Sequence, residues 1–500
     1  MSTVSQGQSV QVPLSGTSAI WVKCTGEGFA EFECGGYQQV RLNSEYQRIG
    51  YLGSDTCIEL RCVSGQLDYQ STPPQIYPLA AKAMGDRSDS SPVDIALTVN
   101  NVAAVVNGLE IDSIVKIAND AFSSNAKELP AMATPPAVTV DGTSAPSGQT
   151  KGYTLSALPN FFFRSGGTVT AADRVYSSVI ATTGGNIGTN NGREGTFSRY
   201  AFIADANKVT FRVNGSAETY RFIVDGRYVS KTGTLTAGTA TTPHQYITLD
   251  FTSAGGRAER EIIIEMQKNQ GFVGAYVGQT EKLFQSVIPQ IRTVALGDSY
   301  CLGSSATLLG DGIDATMADY LGWSNHMNSG SGGTGWATTS SAYTFLQRIQ
   351  NGDLGLNGGI PDIICLQGSI NDKNAAAATV TANCLAGLQA ARAYAPNALI
   401  FVFGVWPAAG GTNGTLSIAG NEAAIGAAVT AFNDSHTWFI PINSAYGGAW
   451  LEGTGTTSAP TGTGNADAWM FDASHLGDYG CLVAGKLKAS SILSILRQNT

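Results

Sequence analysis

The sequence predicts a multidomain chain that ends, over residues 291–500, in an α/β domain built on a largely parallel sheet. Three observations carry that expectation. After residue 290, apolar runs of strand length alternate with segments of helix length, the pattern of strand–helix–strand units. Residues 151–290 hold β-patterned runs separated by Gly and Asn turns, as in a β-sandwich or jelly roll. Residues 1–74 also alternate apolar and polar positions between Gly-rich turns, as in a small all-β module.

Each element has its own justification. In the first module the strand candidates are residues 18–24, 38–42 and 57–62, and Ser71-Thr72-Pro73-Pro74 closes it. Residues 75–150 change period. Ile95, Val99, Val102, Val106 and Leu109 fall at steps of four and three, the stripe of an amphipathic helix or a short coiled-coil seam. That stripe suits a helix packed on its own domain as well as a dimeric or trimeric bundle. Residues 129–150, rich in Pro, Thr, Ser and Gly, read as a linker. In the middle domain residues 200–204, 208–213, 220–226 and 261–266 read as strands, and the domain suits a sugar-binding module or a spacer. In the last domain the strands are expected at 292–296, 362–367, 398–405 and 437–442, with helices over 381–394 and 479–497. Ligands of such a domain bind beyond the carboxyl ends of the strands.

Composition narrows the function classes. Charged residues make up 13% of the 500, well under the roughly 25% of an average soluble protein. Sixty glycines help fill the gap, and the net charge of −9 argues against nucleic acid or an anionic membrane as the main partner. A neutral, hydroxyl-rich polysaccharide fits better. The polar first residues, Met1 to Gly7, lack the basic-then-apolar pattern of a secretory signal. The longest apolar run, residues 398–405, is far short of the ~20 residues of a membrane span. Eight cysteines are present. Cys24, Cys34, Cys57 and Cys62 lie in the first module, where buried thiols are favoured over disulfides, and no Cys/His spacing suggests zinc.

Chemistry concentrates in the last domain. The run Thr293 to Leu296 breaks into Gly297-Asp298-Ser299, which places a serine at a strand end. Near the C-terminus stands Asp472-Ala473-Ser474-His475, and of the four histidines only His475 has an Asp three residues before it. A nucleophile, a general base and an orienting acid thus occur in the order Ser299, Asp472, His475. Between them lie two potential oxyanion-binding pieces. One is the Gly-rich stretch Asn328-Ser329-Gly330-Ser331-Gly332-Gly333-Thr334-Gly335, whose backbone N–H groups can approach a reacting carbonyl closely. The other is Gln367-Gly368-Ser369-Ile370-Asn371-Asp372, which offers a carboxamide at a strand end. Each piece alone has an ordinary structural explanation, as a turn, a cap or a surface loop.

As an ordered set, these pieces resemble the SGNH, or GDSL, family of serine hydrolases over residues 291–500. The resemblance implies a flavodoxin-like three-layer fold, with Ser299, Asp472 and His475 as the catalytic residues. It implies an oxyanion hole formed by the Ser299 N–H, the Gly333 N–H (Gly332 being the neighbouring register) and the Asn371 side chain. No cofactor or metal is implied. Two departures stand out: Ser369 occupies the usual glycine position two residues before the asparagine, and Leu476 follows the histidine in place of proline. A β-sandwich before such a domain is similar to the architecture of carbohydrate esterases that deacetylate polysaccharides. The added N-terminal module and helical seam look like a bacteriophage tailspike or tail fibre, made in the host cytoplasm and carried on the virion. The expectation is therefore an esterase acting on O-acetylated bacterial polysaccharide, a homotrimer attached to other tail proteins through its first module. A lipase or thioesterase of the same fold, and a non-catalytic adhesin, are the alternatives.

Overall fold

The computed structural model describes residues 111–155, 197–213, 219–236, 244–267, 271–286, 291–339, 343–355, 359–407, 417–445 and 448–499, with short strands inside 2–70 and 163–176. In the first module only strands are described. They form two four-stranded antiparallel sheets, and the strands expected at 18–24, 38–42 and 57–62 appear as Ala19–Cys24, Tyr37–Leu42 and Cys57–Ser64. The seam from Ile95 to Leu109 and the first-module cysteine side chains lie outside the described residues.

The C-terminal domain is a five-stranded, all-parallel sheet. Its order is Asn325–Gly330, Arg292–Gly297, Ile363–Gly368, Leu399–Val405, Thr437–Ile440. Alternation along each strand feeds two cores. Val294, Leu296, Ile364, Leu366, Ile400 and Val402 pack with the helices Phe345–Gln350, Ala377–Tyr394 and Ile418–Phe432. Ala295, Cys365, Phe401 and Phe403 face the other way, against Ile313–Tyr320 and Asp478–Gln498. The result is a three-layer α/β/α arrangement. The strand Asn325–Gly330 was not anticipated, because its sequence, Asn-His-Met-Asn-Ser-Gly, is polar although every residue is buried. It also shortens the expected Gly-rich loop, whose residues 328–330 are strand.

Two helices need comment. Ile111–Ser123 lays Ile114 and Ala118 into the C-terminal domain's core. Asp478–Gln498 has the length and apolar content of a membrane span by composition, with a mean hydropathy of 1.2, yet half of that window is buried. It is packed as a core helix. Its Lys488 is completely buried, pairs with Asp314, donates to Gln367 Oε1 at 3.0 Å and lies 4.0 Å from the Phe403 ring centre.

The middle domain is a sandwich of two seven-stranded sheets closed on Phe202, Phe211, Phe222, Ile247, Ile264 and Val277. The stretch read as a linker contributes one of its strands, Ala137–Val140, paired with Gln245–Asp250. Residues after it continue along the edge of Gln245–Asp250, where Asp141 N donates to Tyr246 O at 2.7 Å. Asp141 Oδ2 accepts from Thr248 Oγ1 at 2.6 Å, Gly142 O from Tyr246 N at 3.1 Å, and Thr143 O lies 3.0 Å from His244 Nε2.

The other sheet docks on the α/β domain through buried charge. Glu265, fully buried, pairs with Arg199 at 2.7 Å and with Arg221. Arg199 also pairs with Asp319, Arg221 with Asp311 at 2.7 Å, and Lys127 with Asp319 at 3.2 Å. Burial alone would raise both carboxyls. The Arg221 and Arg199 guanidiniums hold Glu265 down at about 2, and Arg199 with Lys127 holds Asp319 at about 2. Because these values lie below those of the unfolded chain, the unfolded state takes up more protons as pH falls. The stabilisation is complete above about pH 5 and is lost between about pH 5 and 2. Thermal unfolding followed across that range should show a steep acid limb. Glu265→Gln should lower the melting temperature at neutral pH and flatten the limb; an unchanged limb would remove the cluster from the acid response.

Candidate active site

The three expected catalytic residues come from two loops at the carboxyl end of the sheet. Ser299 opens the short helix Ser299–Leu302 directly after the strand Arg292–Gly297. The turn is capped by Asp298, whose Oδ1 accepts from Tyr300 N at 3.0 Å. Asp298 and Tyr300 are buried, and Ser299 between them is half-buried. Burial pushes the Asp298 carboxyl up to about 6, with the Tyr300 N–H acting in the opposite sense. The turn can be this tight because Gly330, on the neighbouring strand, has no side chain: a Cβ there would run into the Leu302 backbone.

Asp472 and His475 sit on a narrow loop pinched between Met470 and Leu476, which form an antiparallel bridge. The loop is closed by its own carboxylate. Asp472 Oδ1 accepts from Ser474 N at 2.7 Å and His475 N at 2.8 Å, while Oδ2 lies 3.1 Å from His475 Nδ1 and accepts from Ser305 Oγ at 3.3 Å. Burial works against the charged form, but the Ser474 N–H and the His475 ring outweigh it and hold Asp472 below its usual range. An ionised Asp472 on Nδ1 leaves Nε2 as the free nitrogen of the imidazole. The His475 ring packs 5.9 Å from the ring of Tyr300, the residue after the serine. Tyr300 is itself anchored by its hydroxyl to Pro407 O at 2.9 Å and stacks 6.0 Å from Trp406. His475 and the helix that Ser299 opens therefore share one aromatic contact.

The oxyanion pieces are joined to each other. Thr334 O accepts from Ser369 Oγ at 2.7 Å and from Asn371 Nδ2 at 3.0 Å. The Asn371 amide nitrogen has two hydrogens, so one remains to be donated. Asp372 Oδ2 and Oδ1 accept from Trp336 N at 2.8 Å and Ala337 N at 2.9 Å, and Thr338 Oγ1 donates to Asn371 O at 2.9 Å. Of the two glycines, Gly333 takes a left-handed backbone (φ 72°), and a Cβ on Gly332 would stand 3.9 Å from the Ser299 Cβ. Gly332 thus lies beside the serine, and Gly333 makes the turn.

Ser369, the departure from the resembled family's glycine, is a joint in this arrangement. It is completely buried, its hydroxyl accepts from Asn371 N at 3.0 Å while donating to Thr334 O, and its own carbonyl accepts from Asn421 Nδ2 at 2.6 Å. The next residue, Glu422, gathers the neighbouring strand ends: it accepts from Val405 N at 3.1 Å, Ile442 N at 2.9 Å and Ser444 N at 2.8 Å. Burial opposes its charge, yet the Asn443, Ile442 and Ser444 N–H groups keep its pKa below the usual value. Sequence reading missed Asn421 and Glu422, which look like ordinary polar residues of a helix.

Cys301, Cys365, Cys384 and Cys481 are buried free thiols, pushed up by burial and so kept protonated. Among the described residues no group of three or more His, Cys, Asp or Glu is placed to hold a metal ion.

No protein-family model matches the chain, and no curated protein matches it. Several solved structures are similar in part. A family two carbohydrate esterase from Clostridium thermocellum, in complex with cellohexaose, is 14% identical over 67% of this chain and 98% of that one, with a TM-score of 0.46. A salicylyl-acyltransferase from a tetracycline biosynthetic pathway is 11% identical over 68% and 95%, with a TM-score of 0.49. An acetyl xylan esterase from the rumen bacterium Butyrivibrio proteoclasticus is 11% identical over 73% and 99%, with a TM-score of 0.45. At these identities and scores the likeness transfers no activity, and chemistry has to be read from the residues themselves.

Removing the Asn371 carboxamide (Asn371→Ala) should lower kcat by about 10²–10³, the usual loss for one oxyanion donor. Ser369→Gly, which deletes two buried hydrogen bonds worth about 1 kcal/mol each, should cost at most about thirtyfold. Steady-state kinetics on a small ester distinguish the two; equal losses would place both residues in the same merely structural role.

Proposed function

We propose that this protein is an SGNH-type serine esterase that removes O-acyl groups from a polysaccharide. The observation that carries this reading is the Asp472–His475 pair, held at 3.1 Å and packed through Tyr300 against the short helix that Ser299 opens. In this mechanism His475 takes the Ser299 proton as the hydroxyl attacks the ester carbonyl, and Asp472 stabilises the imidazolium. The Ser299 N–H, a glycine N–H of the 332–333 loop (Gly333 in the register the resemblance implies) and the Asn371 amide meet the oxyanion. The sugar hydroxyl leaves with the proton from His475. Water, activated by the same imidazole, then frees the acid and regenerates the serine.

The acyl group is proposed to be acetyl. The described residues 452–464 are mostly exposed Gly, Ser and Thr, and the two exposed aromatics next to the Asp472–His475 loop, Phe471 and Tyr479, make a smaller apolar surface than a lipid acyl chain requires. Low overall charge and abundant hydroxyl side chains suit a neutral glycan. Bacterial surface polysaccharide is the proposed source, with the chain acting from a phage virion as a trimer through its first module; that part of the proposal rests on the sequence pattern of residues 1–109. The test is acetate release from O-acetylated capsule or O-antigen. Wild-type protein should release it and Ser299→Ala should not. Equal release by both proteins would remove Ser299 from the reaction, and a preference for long-chain p-nitrophenyl esters over acetate would move the substrate to lipid.

A further inference from the structure

Arg348 lies on the helix Phe345–Gln350 and is completely buried. A guanidinium without solvent is tolerated only when its donors are spent on good acceptors. Here Nε donates to Asp353 Oδ2 at 2.9 Å, Nη1 to Gly297 O at 2.9 Å, and Nη2 to Ser329 Oγ at 2.9 Å and to Ser329 O. Asp353 is 1% exposed and also accepts from Ser329 Oγ at 3.3 Å. Two of these acceptors are backbone carbonyls of adjacent parallel strands, at the last rungs of their ladder, where Leu296 faces Ser329 and Gly297 faces Gly330. Just past those rungs the chains diverge. One continues through Asp298 to Ser299. The other becomes Ser331-Gly332-Gly333, and its Ser331 N donates to the same Gly297 O at 3.0 Å.

We propose that Arg348 is a positioning residue for acyl transfer: by forking across Gly297 O and Ser329 it sets the separation between the Ser299 side chain and the Gly332–Gly333 backbone. This role rests on the serine-esterase reading. The planar fork is essential to it, because a lysine ammonium in the same place keeps the charge beside Asp353 but lacks the rigid, divergent donors. An error of about 1 Å between nucleophile and oxyanion donors is enough to cost about 10²-fold in rate.

The test uses the full chain with Arg348→Lys and, as a milder change, Ser329→Ala, which removes one contact of the fork. Active sites are counted by fluorophosphonate titration, so that misfolded protein does not enter the rate. On p-nitrophenyl acetate, Arg348→Lys is expected to lower kcat per active site by about 10²-fold with KM within about twofold of wild type. Binding of an arylboronic acid, which mimics the tetrahedral intermediate, is expected to weaken in proportion to kcat. Ser329→Ala is expected to show the same pattern at about threefold to tenfold, and it decides the matter if Arg348→Lys does not fold. Unchanged kcat per active site, or a loss of kcat with boronic acid binding intact, would overturn the role. A wild-type protein that neither hydrolyses the ester nor takes the fluorophosphonate would overturn the serine-esterase reading itself.

Discussion

Backbone pairing ends at the carboxyl edge of a parallel sheet, and that edge is where this protein gathers its candidate catalytic side chains. Beyond the last rungs, strands are free to splay unless side chains hold them. Buried polar groups do so here in sequence across the sheet. Arg348 joins Gly297 to Ser329, Ser369 and Asn371 take hold of Thr334, and Glu422 collects Val405, Ile442 and Ser444. Arg348, Ser369 and Glu422 are costly to bury and hold mostly backbone partners, while the half-buried Asn371 keeps one N–H to donate. The loop of Asp472 and His475 is closed differently, by its own carboxylate, and leans through Tyr300 on the helix that Ser299 opens.

The second constraint is the docking of the sandwich. Arg199, Arg221 and Glu265 come from one of its sheets, and Asp311 and Asp319 from the α/β domain. The small apolar cluster of Ala201, Ile223, Tyr228 and Ile263 lies beside them. A buried charge cluster of this kind specifies orientation more than it stabilises, since its desolvation offsets much of its attraction. The sandwich is therefore joined to the α/β domain in a set orientation, with Lys127 and the helix Ile111–Ser123 packed on the same domain.

Much of the C-terminal domain was legible in the sequence because its central strands are continuous apolar runs, as burial on both faces demands. Residues 292–296, 362–367 and 398–405 lie within one residue of the observed strands at each end. Asn325–Gly330 was illegible for the opposite reason. Most of its polar atoms find partners inside the protein, Asn328 with Cys301, Ser329 with Arg348 and His326 Nδ1 with Thr293 Oγ1, so burial left no hydrophobic pattern to read. At the site, Ser299, Asn371, Asp472 and His475 were visible as short motifs with a chemical rationale. Ser369, Arg348, Asn421 and Glu422 were not, because a positioning residue is defined by what it touches across the fold. Ser369 counted as a departure from a pattern; in place, its hydroxyl adds one more bridge between two loops that Asn371 and Asp372 also join.

The central claim is that Ser299 is a nucleophile activated by His475. Fluorophosphonate labelling of the full chain, with the adduct located by peptide mass spectrometry, tests it most directly. The account predicts one adduct, on Ser299, and its loss in His475→Ala under the same conditions. An adduct on a different serine, or undiminished labelling of Ser299 without His475, would contradict it.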